Sequence, residues 1–309
     1  MIVSKVYVVV LCILVLCGTI VVLAILLSQS PSSQDNKTLG KTKGVPRIKF
    51  DNFWTGFSEN NNYFTTLLRK YGYSFEVVDT NPDIIIFSVF GQYRRPKNSV
   101  RTVHYTGENT RIVKGMHLNL TFDHTSKYNN IRLPLWLLHL DKKLTLTQKE
   151  TEHFCCFVYS HNIPYRNHFC KSLSKYKTVD CGGKCLNNVG GQVKDKIEFQ
   201  KKYKFCIAYE NSKHPGYTTE KILDAYKSNC IPIYCGSETI TEDFNPETFI
   251  NAHDFDTDTA LINYIKRVDT DESLYNSYMN KPIYSKRWID IFNDPNETYF
   301  KTIAKKIIG

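Results

Sequence analysis

The sequence predicts an α/β protein made of two doubly wound, Rossmann-like halves facing each other across a cleft, preceded by a membrane-spanning helix. Three observations carry that reading. Short apolar runs alternate with amphipathic stretches along most of the chain, the order that lays helices over parallel strands. One of these runs, Asp83-Ile-Ile-Ile-Phe-Ser-Val-Phe, is almost wholly apolar, as a strand covered on both faces has to be. Near the amino terminus an apolar run continues much longer, with no turn signal inside it.

That first run, Val6 to Leu27, is 22 residues without a charge, long enough to cross a bilayer core as a helix. A cleaved signal peptide has a shorter apolar stretch and a small-residue cleavage site, and Ser28-Gln-Ser-Pro supplies no clear one. The expectation is therefore a retained signal-anchor over 6–27 behind a cytoplasmic tail of residues 1–5. Charge does not orient it, because Lys5 on one side is balanced by Lys37, Lys41 and Lys43 on the other. Three Asn-x-Thr triplets, at Asn36, Asn119 and Asn296, follow the anchor. With the cysteines they favour a luminal body and a single-pass type II topology.

Residues 28–45 are polar and aperiodic and read as a flexible stem. The body opens with a strand at Arg47-Ile-Lys-Phe-Asp-Asn-Phe, then a helix over Asn62 to Tyr71 stopped by Gly72. Strands follow at Phe75-Glu-Val-Val, in the apolar run from Asp83, and from Val100 into the loop Tyr105-Thr-Gly-Glu-Asn109. The first half spans 46–150, with the joint near Asp141 to Glu152. The second half, 151–285, repeats the alternation: strand Phe154–Tyr159, helix Asn167–Tyr176, strand Tyr203–Glu210, helix Thr219–Ser228, strand Ile231–Tyr234 and helix Asp258–Arg267. Residues 286–309 form a closing helical segment.

The net charge of +10 and a pI near 9.0 suit anionic ligands. Lys and Arg are scattered, however, so a solvated basic surface explains them equally well. No nucleic-acid-binding motif is present, and nucleic acid is not an expected partner. Of ten cysteines, Cys12 and Cys17 fall within the apolar run. Cys181-Gly-Gly-Lys-Cys185 reads either as a short disulfide loop or as half a zinc site lacking its second pair. Cys206 and Cys235 read as buried thiols.

Candidate chemistry concentrates in two places. In Tyr217-Thr-Thr-Glu-Lys, Glu220 and Lys221 fall in the first turn of a helix with Thr218 or Thr219 as its N-cap. Ile222, Leu223 and Tyr226 face its core side, leaving the Glu-Lys end free for a ligand. Glutamate is ordinary there, but lysine opposes the helix dipole unless an anion is bound. In Tyr105-Thr-Gly-Glu-Asn, Glu108 sits just past a strand end, where ligands bind in open α/β sheets, and can serve as a general base. Its competing reading is an exposed turn glutamate. Arg166, just before the helix expected from Asn167, is placed either to neutralise a diphosphate or simply on the surface. The Asp256-Thr-Asp258 and Asp269-Thr-Asp271 pairs read as helix-start residues and not as metal ligands.

Taken together, Tyr209-Glu-Asn, Tyr217-Thr-Thr-Glu-Lys and Ile231-Pro-Ile-Tyr-Cys-Gly resemble the signature of the α-1,3-fucosyltransferases, glycosyltransferase family 10. The resemblance continues in Tyr105-Thr-Gly-Glu-Asn, Ser174-Lys-Tyr-Lys-Thr-Val-Asp-Cys-Gly-Gly-Lys, Asp243-Phe-Asn-Pro and Phe249-Ile-Asn, and covers most of residues 47–281. The body looks bacterial, whereas the anchor and stem are similar to those of Golgi members. The resemblance implies a GT-B fold, with the first half on the acceptor side and the second binding GDP-fucose. It implies transfer of L-fucose from GDP-β-L-fucose, with inversion, to the 3-hydroxyl of N-acetylglucosamine in glycans, that is, protein glycosylation at the Golgi membrane. Carried over by motif, Glu108 is the base, Arg166 and Lys221 meet the diphosphate, and Glu220 meets the sugar hydroxyls. Asn211 and Tyr217 line the donor pocket. No cofactor is required, and a divalent metal is at most stimulatory. The alternative expectation is a silent, membrane-tethered homologue that binds a GDP-sugar or glycan without transferring it.

Overall fold

Strand β1 (Arg47–Asp51) buries Ile48 and Phe50 and leaves the three residues between and beside them half-buried, the period-two pattern of a pleated strand. It belongs to the computed structural model of the chain, which describes residues 44–94, 96 and 99–309. The expected anchor, Val6 to Leu27, and nearly all of the expected stem lie outside those residues. Among the described residues no helix is long and apolar enough to cross a membrane.

Six parallel strands make the first sheet: β1, β2 (Glu76–Val77), β3 (Ile84–Phe87), β4 (Arg101–Tyr105), β5 (Leu118–Thr121) and β6 (Asn130–Arg132), in the order 2-1-3-4-5-6. Five parallel strands make the second: β7 (His153–Phe157), β8 (Val179–Cys181), β9 (Tyr203–Tyr209), β10 (Ile231–Cys235) and β11 (Ile250–Asn251), in the order 11-10-9-7-8. Read from its other edge, the second order reproduces the first five positions of the first, with no counterpart to β6. In each sheet the chain turns back between the first and third strands in sequence, β1 and β3 or β7 and β9. Ligands settle in the crevice beyond the carboxyl ends at such a reversal.

The helices are α1 (Tyr63–Lys70), α2 (Leu135–Leu138), α3 (Pro164–Leu173), α4 (Lys196–Gln200), α5 (Lys221–Lys227), α6 (Asp258–Thr270), α7 (Glu272–Asn276), α8 (Lys286–Asn293) and α9 (Thr298–Ile308). Asn62 caps α1, its Oδ1 accepting from the N–H groups of Phe64 and Thr65 at 2.9 and 3.0 Å, while Thr65 Oγ1 accepts in return from Asn62 N. At the other end of the chain α9 returns to the first half. Arg101 donates to the last-turn carbonyls of Lys306 and Ile307 at 2.7 and 3.1 Å, satisfying acceptors that the helix leaves open.

A buried ion pair joins the two halves. Arg132, at the end of β6, donates two bonds of 2.7 Å to the Asp243 carboxylate. Its remaining donors reach the carbonyls of Phe122 and Gly216, and Trp288 Nε1 on α8 adds a bond of 2.9 Å to Asp243 Oδ1. Both charges are sequestered from solvent, so the matched fork-to-carboxylate geometry has to offset their lost hydration.

Sequence and structure part in several places. Helix α3 starts at Pro164 and not at Asn167, because proline is preset for the first helical position. Strands β5, β6, β8 and β11 are too short and too polar to stand out. Asn119, in β5, is wholly buried, its side chain bonded to His104, Val113 and Tyr128, so this triplet is a structural asparagine and not an accessible glycan acceptor. Asn296 is exposed, and Asn36 lies outside the described residues. The eight described cysteines are all free and buried, including Cys206 and Cys235. Cys181 does not close a loop with Cys185: its Sγ stands 3.6 Å from Cys170 Sγ, whereas Cys185 Sγ bonds Asn167. Asp269, in one Asp-x-Asp pair, closes α6 and is paired with Lys177 and Lys204. Thr257 and Asp271 cap α6 and α7.

Removing one member of the joining pair leaves the other charge buried alone. Asp243→Ala is expected to lose about 3–5 kcal/mol of unfolding free energy in urea, and Arg132→Met/Asp243→Leu to recover much of it. Equal losses in the single and double variants would show that the charge is not the source of the cost.

Candidate active site

The second half's crevice is built from the carboxyl ends of β7 and β9. Glu210, the residue after β9, is fully buried and accepts from Thr219 N and Thr219 Oγ1, each at 2.7 Å. Its second partner is Lys221, whose Nζ lies 3.2 Å from Glu210 Oε2, 2.7 Å from Thr219 Oγ1 and 3.5 Å from Glu220 Oε1. A lysine opening this helix opposes the dipole and needs an anion beside it. The anion is Glu210, which lies within the Tyr209-Glu-Asn motif but is not among the candidate site residues. The detectable signal was a carboxylate directly behind an apolar strand.

The same contacts revise the helix start. Glu210 takes both the N–H and the hydroxyl of Thr219, so neither Thr218 nor Thr219 caps α5. Glu220 occupies the cap position with no side-chain cap bond, and Lys221 is the first helical residue. Ile222, Leu223 and Tyr226 are buried, as their spacing predicts. Burial pushes the Glu210 carboxyl above its ordinary value, against the pull of Lys221. Burial also opposes charge on Glu220, but Lys221, its own backbone N–H, Lys196 and His139 outweigh it and hold that carboxyl below the usual range. Burial works against the Lys221 ammonium too, and the two carboxylates together hold it above the ordinary lysine value.

Arg166 lies in the first turn of α3, wholly inside the protein and over the Tyr159 ring at 3.7 Å. Its Nη1 donates to Asn211 Oδ1 at 2.9 Å and its Nη2 to the His161 carbonyl at 2.7 Å. Its Nε is buried without a partner among the described residues, a cationic donor left unspent there. The surface alternative for this arginine is therefore wrong. Tyr165, its neighbour, donates to the Glu210 carbonyl. Tyr217 is buried, with its ring 5.2 Å from that of Phe122 in the first half.

Glu108 arrives from the other side, on the loop after β4. Thr106 Oγ1 shapes that loop, accepting from Glu108 N at 3.1 Å and donating to Glu108 O at 2.9 Å. The Glu108 carboxylate, half-buried, has no hydrogen bond or ion pair among the described residues. Its neighbour Asn109 donates to Ser212 Oγ at 2.6 Å, beside Asn211. Burial first, then Tyr63 for Tyr105 and Glu210 for Tyr217, with smaller contributions from Glu108 and Glu220 on both, raise the two tyrosines above the ordinary tyrosine value. The structure thus brings Glu108, Arg166, Asn211, Tyr217, Glu220 and Lys221 to the facing carboxyl ends of the two sheets. A wider hollow of about 830 Å³ opens elsewhere, beside Lys204 and Asp269, where ion pairs already engage the charged groups.

Two family models match this architecture. The α-(1,3)-fucosyltransferase FucT N-terminal domain matches residues 48–139, and the C-terminal model of glycosyltransferase family 10 matches 147–289. The chain belongs to glycosyltransferase family 10. It is 46% identical over 123 residues to α-(1,3)-fucosyltransferase FucT of Helicobacter pylori, covering 40% of this chain and 26% of that protein. It is 30% identical over 201 residues to α-(1,3)-fucosyltransferase B of Drosophila melanogaster, covering 55% of this chain and 44% of that one. The matches thus span from about a quarter to under half of these curated relatives. A crystal structure of an α1,3-fucosyltransferase with GDP-fucose superposes with a TM-score of 0.68 at 26% identity, covering 89% of this chain and 94% of that one.

One glycine keeps the buried carboxylate in place. A Cβ at Gly236 would stand 2.4 Å from Glu210 Cγ and 2.6 Å from the Tyr234 hydroxyl. Gly236→Ala is expected to cost about 1–3 kcal/mol in denaturant unfolding. Gly44→Ala, with open space around it, is expected to leave the midpoint unchanged. A Gly236→Ala midpoint equal to the parent's would contradict the crowding.

Proposed function

We propose that this chain is an inverting α-1,3-fucosyltransferase, moving L-fucose from GDP-β-L-fucose to the 3-hydroxyl of N-acetylglucosamine in a glycan. The observation that carries the proposal is the opposition of an unpaired carboxylate, Glu108, to a buried, cation-containing crevice at the chain reversal of the second sheet. Family membership and the likeness to a structure that holds GDP-fucose support the same reading.

The chemistry is one displacement. Glu108 removes the proton from the acceptor O3–H as O3 bonds to the fucose anomeric carbon from the face opposite GDP. The bond from that carbon to the β-phosphate oxygen breaks, and its electron pair leaves on GDP. Arg166 and Lys221 supply positive charge toward the diphosphate. Arg166 has the unspent Nε, while Lys221 shares its charge with Glu210, so the heavier part falls to Arg166. Glu220 orients the sugar hydroxyls, and Asn211 and Tyr217 line the donor pocket. Two cations suffice for a leaving group as good as GDP, so the scheme needs no metal. We further propose that Val6 to Leu27 anchors the body in the Golgi lumen; its apolar length supports this.

Transfer from GDP-fucose to N-acetylglucosamine-containing acceptors tests the reading. Glu108→Gln is expected to lower kcat by about a hundredfold to ten-thousandfold, and Arg166→Met by about a hundredfold. Transfer is expected to persist in excess EDTA. A folded, GDP-binding parent that transfers to no acceptor would favour the silent homologue, and a Glu108→Gln variant as fast as an active parent would remove Glu108 as the base.

A further inference from the structure

A carboxylate whose oxygens bond to nothing takes its position from its backbone. Glu108 is such a group among the described residues, so the loop 106–111 sets where it stands. The root of that loop is fixed within the first half, where Thr110 Oγ1 donates to Thr106 Oγ1 at 2.8 Å. Its far side is held from the second half. Asn109 Nδ2 donates to Ser212 Oγ at 2.6 Å, and Arg111 Nη1 donates to His214 Nε2. His214 Nδ1 stands 2.9 Å from the Pro215 carbonyl, so Nδ1 carries the proton and Nε2 is left to accept. Arg111 Nη2 also donates to Asn109 Oδ1, which ties the two crossing bonds into one clasp.

Ser212 and His214 lie on the loop that carries Asn211 and Tyr217. At one end of that loop Arg166 Nη1 donates to Asn211 Oδ1 at 2.9 Å. At the other, Gly216 N donates to Ser237 Oγ and Thr239 Oγ1 at 2.8 and 2.9 Å, and Arg132 donates to the Gly216 carbonyl at 3.2 Å. Arg111 is braced from its own half as well. Its Nη1 reaches Asp123 Oδ1 at 3.2 Å, and its guanidinium lies over the Phe122 ring at 4.8 Å. That ring meets those of His214 and Tyr217 edge to face, at 5.7 and 5.2 Å. A continuous path therefore runs from the Glu108 backbone through Asn109 and Ser212 to Asn211 and the guanidinium of Arg166.

We propose that Asn109 and Arg111, acting through Ser212 and His214, are positioning residues that set the Glu108 carboxylate against a donor bound in the second half. The assignment rests on the fucosyltransferase reading. A reacting group displaced by about an ångström can lose about a hundredfold in rate, so a base without bonds of its own depends on such a clasp. Arg111 is exposed, and a solvated ion pair with Asp123 adds little stability, so the contribution falls on rate.

The full chain is assayed for transfer from GDP-fucose. Ser212→Ala and Arg111→Met are each expected to lower kcat about tenfold, with the KM for GDP-fucose, the GDP Kd and the urea midpoint at the parent's values. Ser212→Thr, which keeps the hydroxyl, restores most of the rate. Asn109→Ala/Ser212→Ala is expected to be no slower than Asn109→Ala alone, because its second substitution removes a bond already gone. An unchanged kcat in Ser212→Ala, or losses that multiply in the double variant, overturns the positioning role. So does a loss confined to GDP affinity, which would assign Ser212 to the donor alone. Amide hydrogen exchange gives a reading independent of turnover, and exchange across residues 106–111 is expected to be faster in Ser212→Ala than in the parent. Should the parent transfer fucose to no acceptor, the transfer reading fails; faster exchange would then still support the clasp, and unchanged exchange would overturn it.

Discussion

The buried pair of Arg132 and Asp243 sets the geometry on which the rest of the molecule depends. A protein of two sheets has to hold their carboxyl ends facing one another, and greasy contact alone is indifferent to small rotations. A guanidinium fork on a carboxylate is not, since both bonds of 2.7 Å fail together if either half turns. The same arginine holds the Gly216 carbonyl at 3.2 Å, on the loop that presents Tyr217. Trp288 on α8 closes the arrangement from outside. An isolated buried ion pair adds little net stability, so its contribution here is to specify one orientation.

Charge in the second half follows the same logic on a smaller scale. Lys221 is kept ionised inside the protein because Glu210 and Glu220 flank it, and Glu210 is tolerated because Thr219 satisfies it twice. The cluster carries one cation for two carboxylates, and Arg166 supplies the second, less encumbered cation. Glu108, in contrast, is left unpaired on its loop. A base has to keep lone pairs available, whereas the groups around a leaving diphosphate have to stay fixed while charge develops.

Much of this was legible in the chain. The apolar strands β3, β9 and β10 stand out because a covered strand admits few polar residues, and the core face of α5 follows from Ile222, Leu223 and Tyr226. The motifs placed six site residues, and the structure brings Arg166 to Asn211 and Lys221 to Glu220, with Glu108 on the loop whose Asn109 meets Ser212. What escaped was set by tertiary contacts. The strands β5 and β6 hide behind Asn119, Thr121, Asn130 and Arg132, whose polar groups are satisfied by one another, by neighbouring loops and, for Arg132, by Asp243. Glu210 carried only the faint signal of a carboxylate behind an apolar strand, and its role follows from Lys221 folding over it. Arg166 moved into a helix because Pro164 starts that helix one turn early. Asn119 carried a glycosylation triplet but is consumed by the core.

The stereochemistry of the transferred fucose tests the central claim most directly: one base facing one donor crevice permits one displacement. The account predicts that proton NMR of the isolated product shows an α-linked fucose on O3 of N-acetylglucosamine from the β-linked donor. A β-linked product would require two successive displacements and a nucleophile that this cleft does not assign, and would contradict the account.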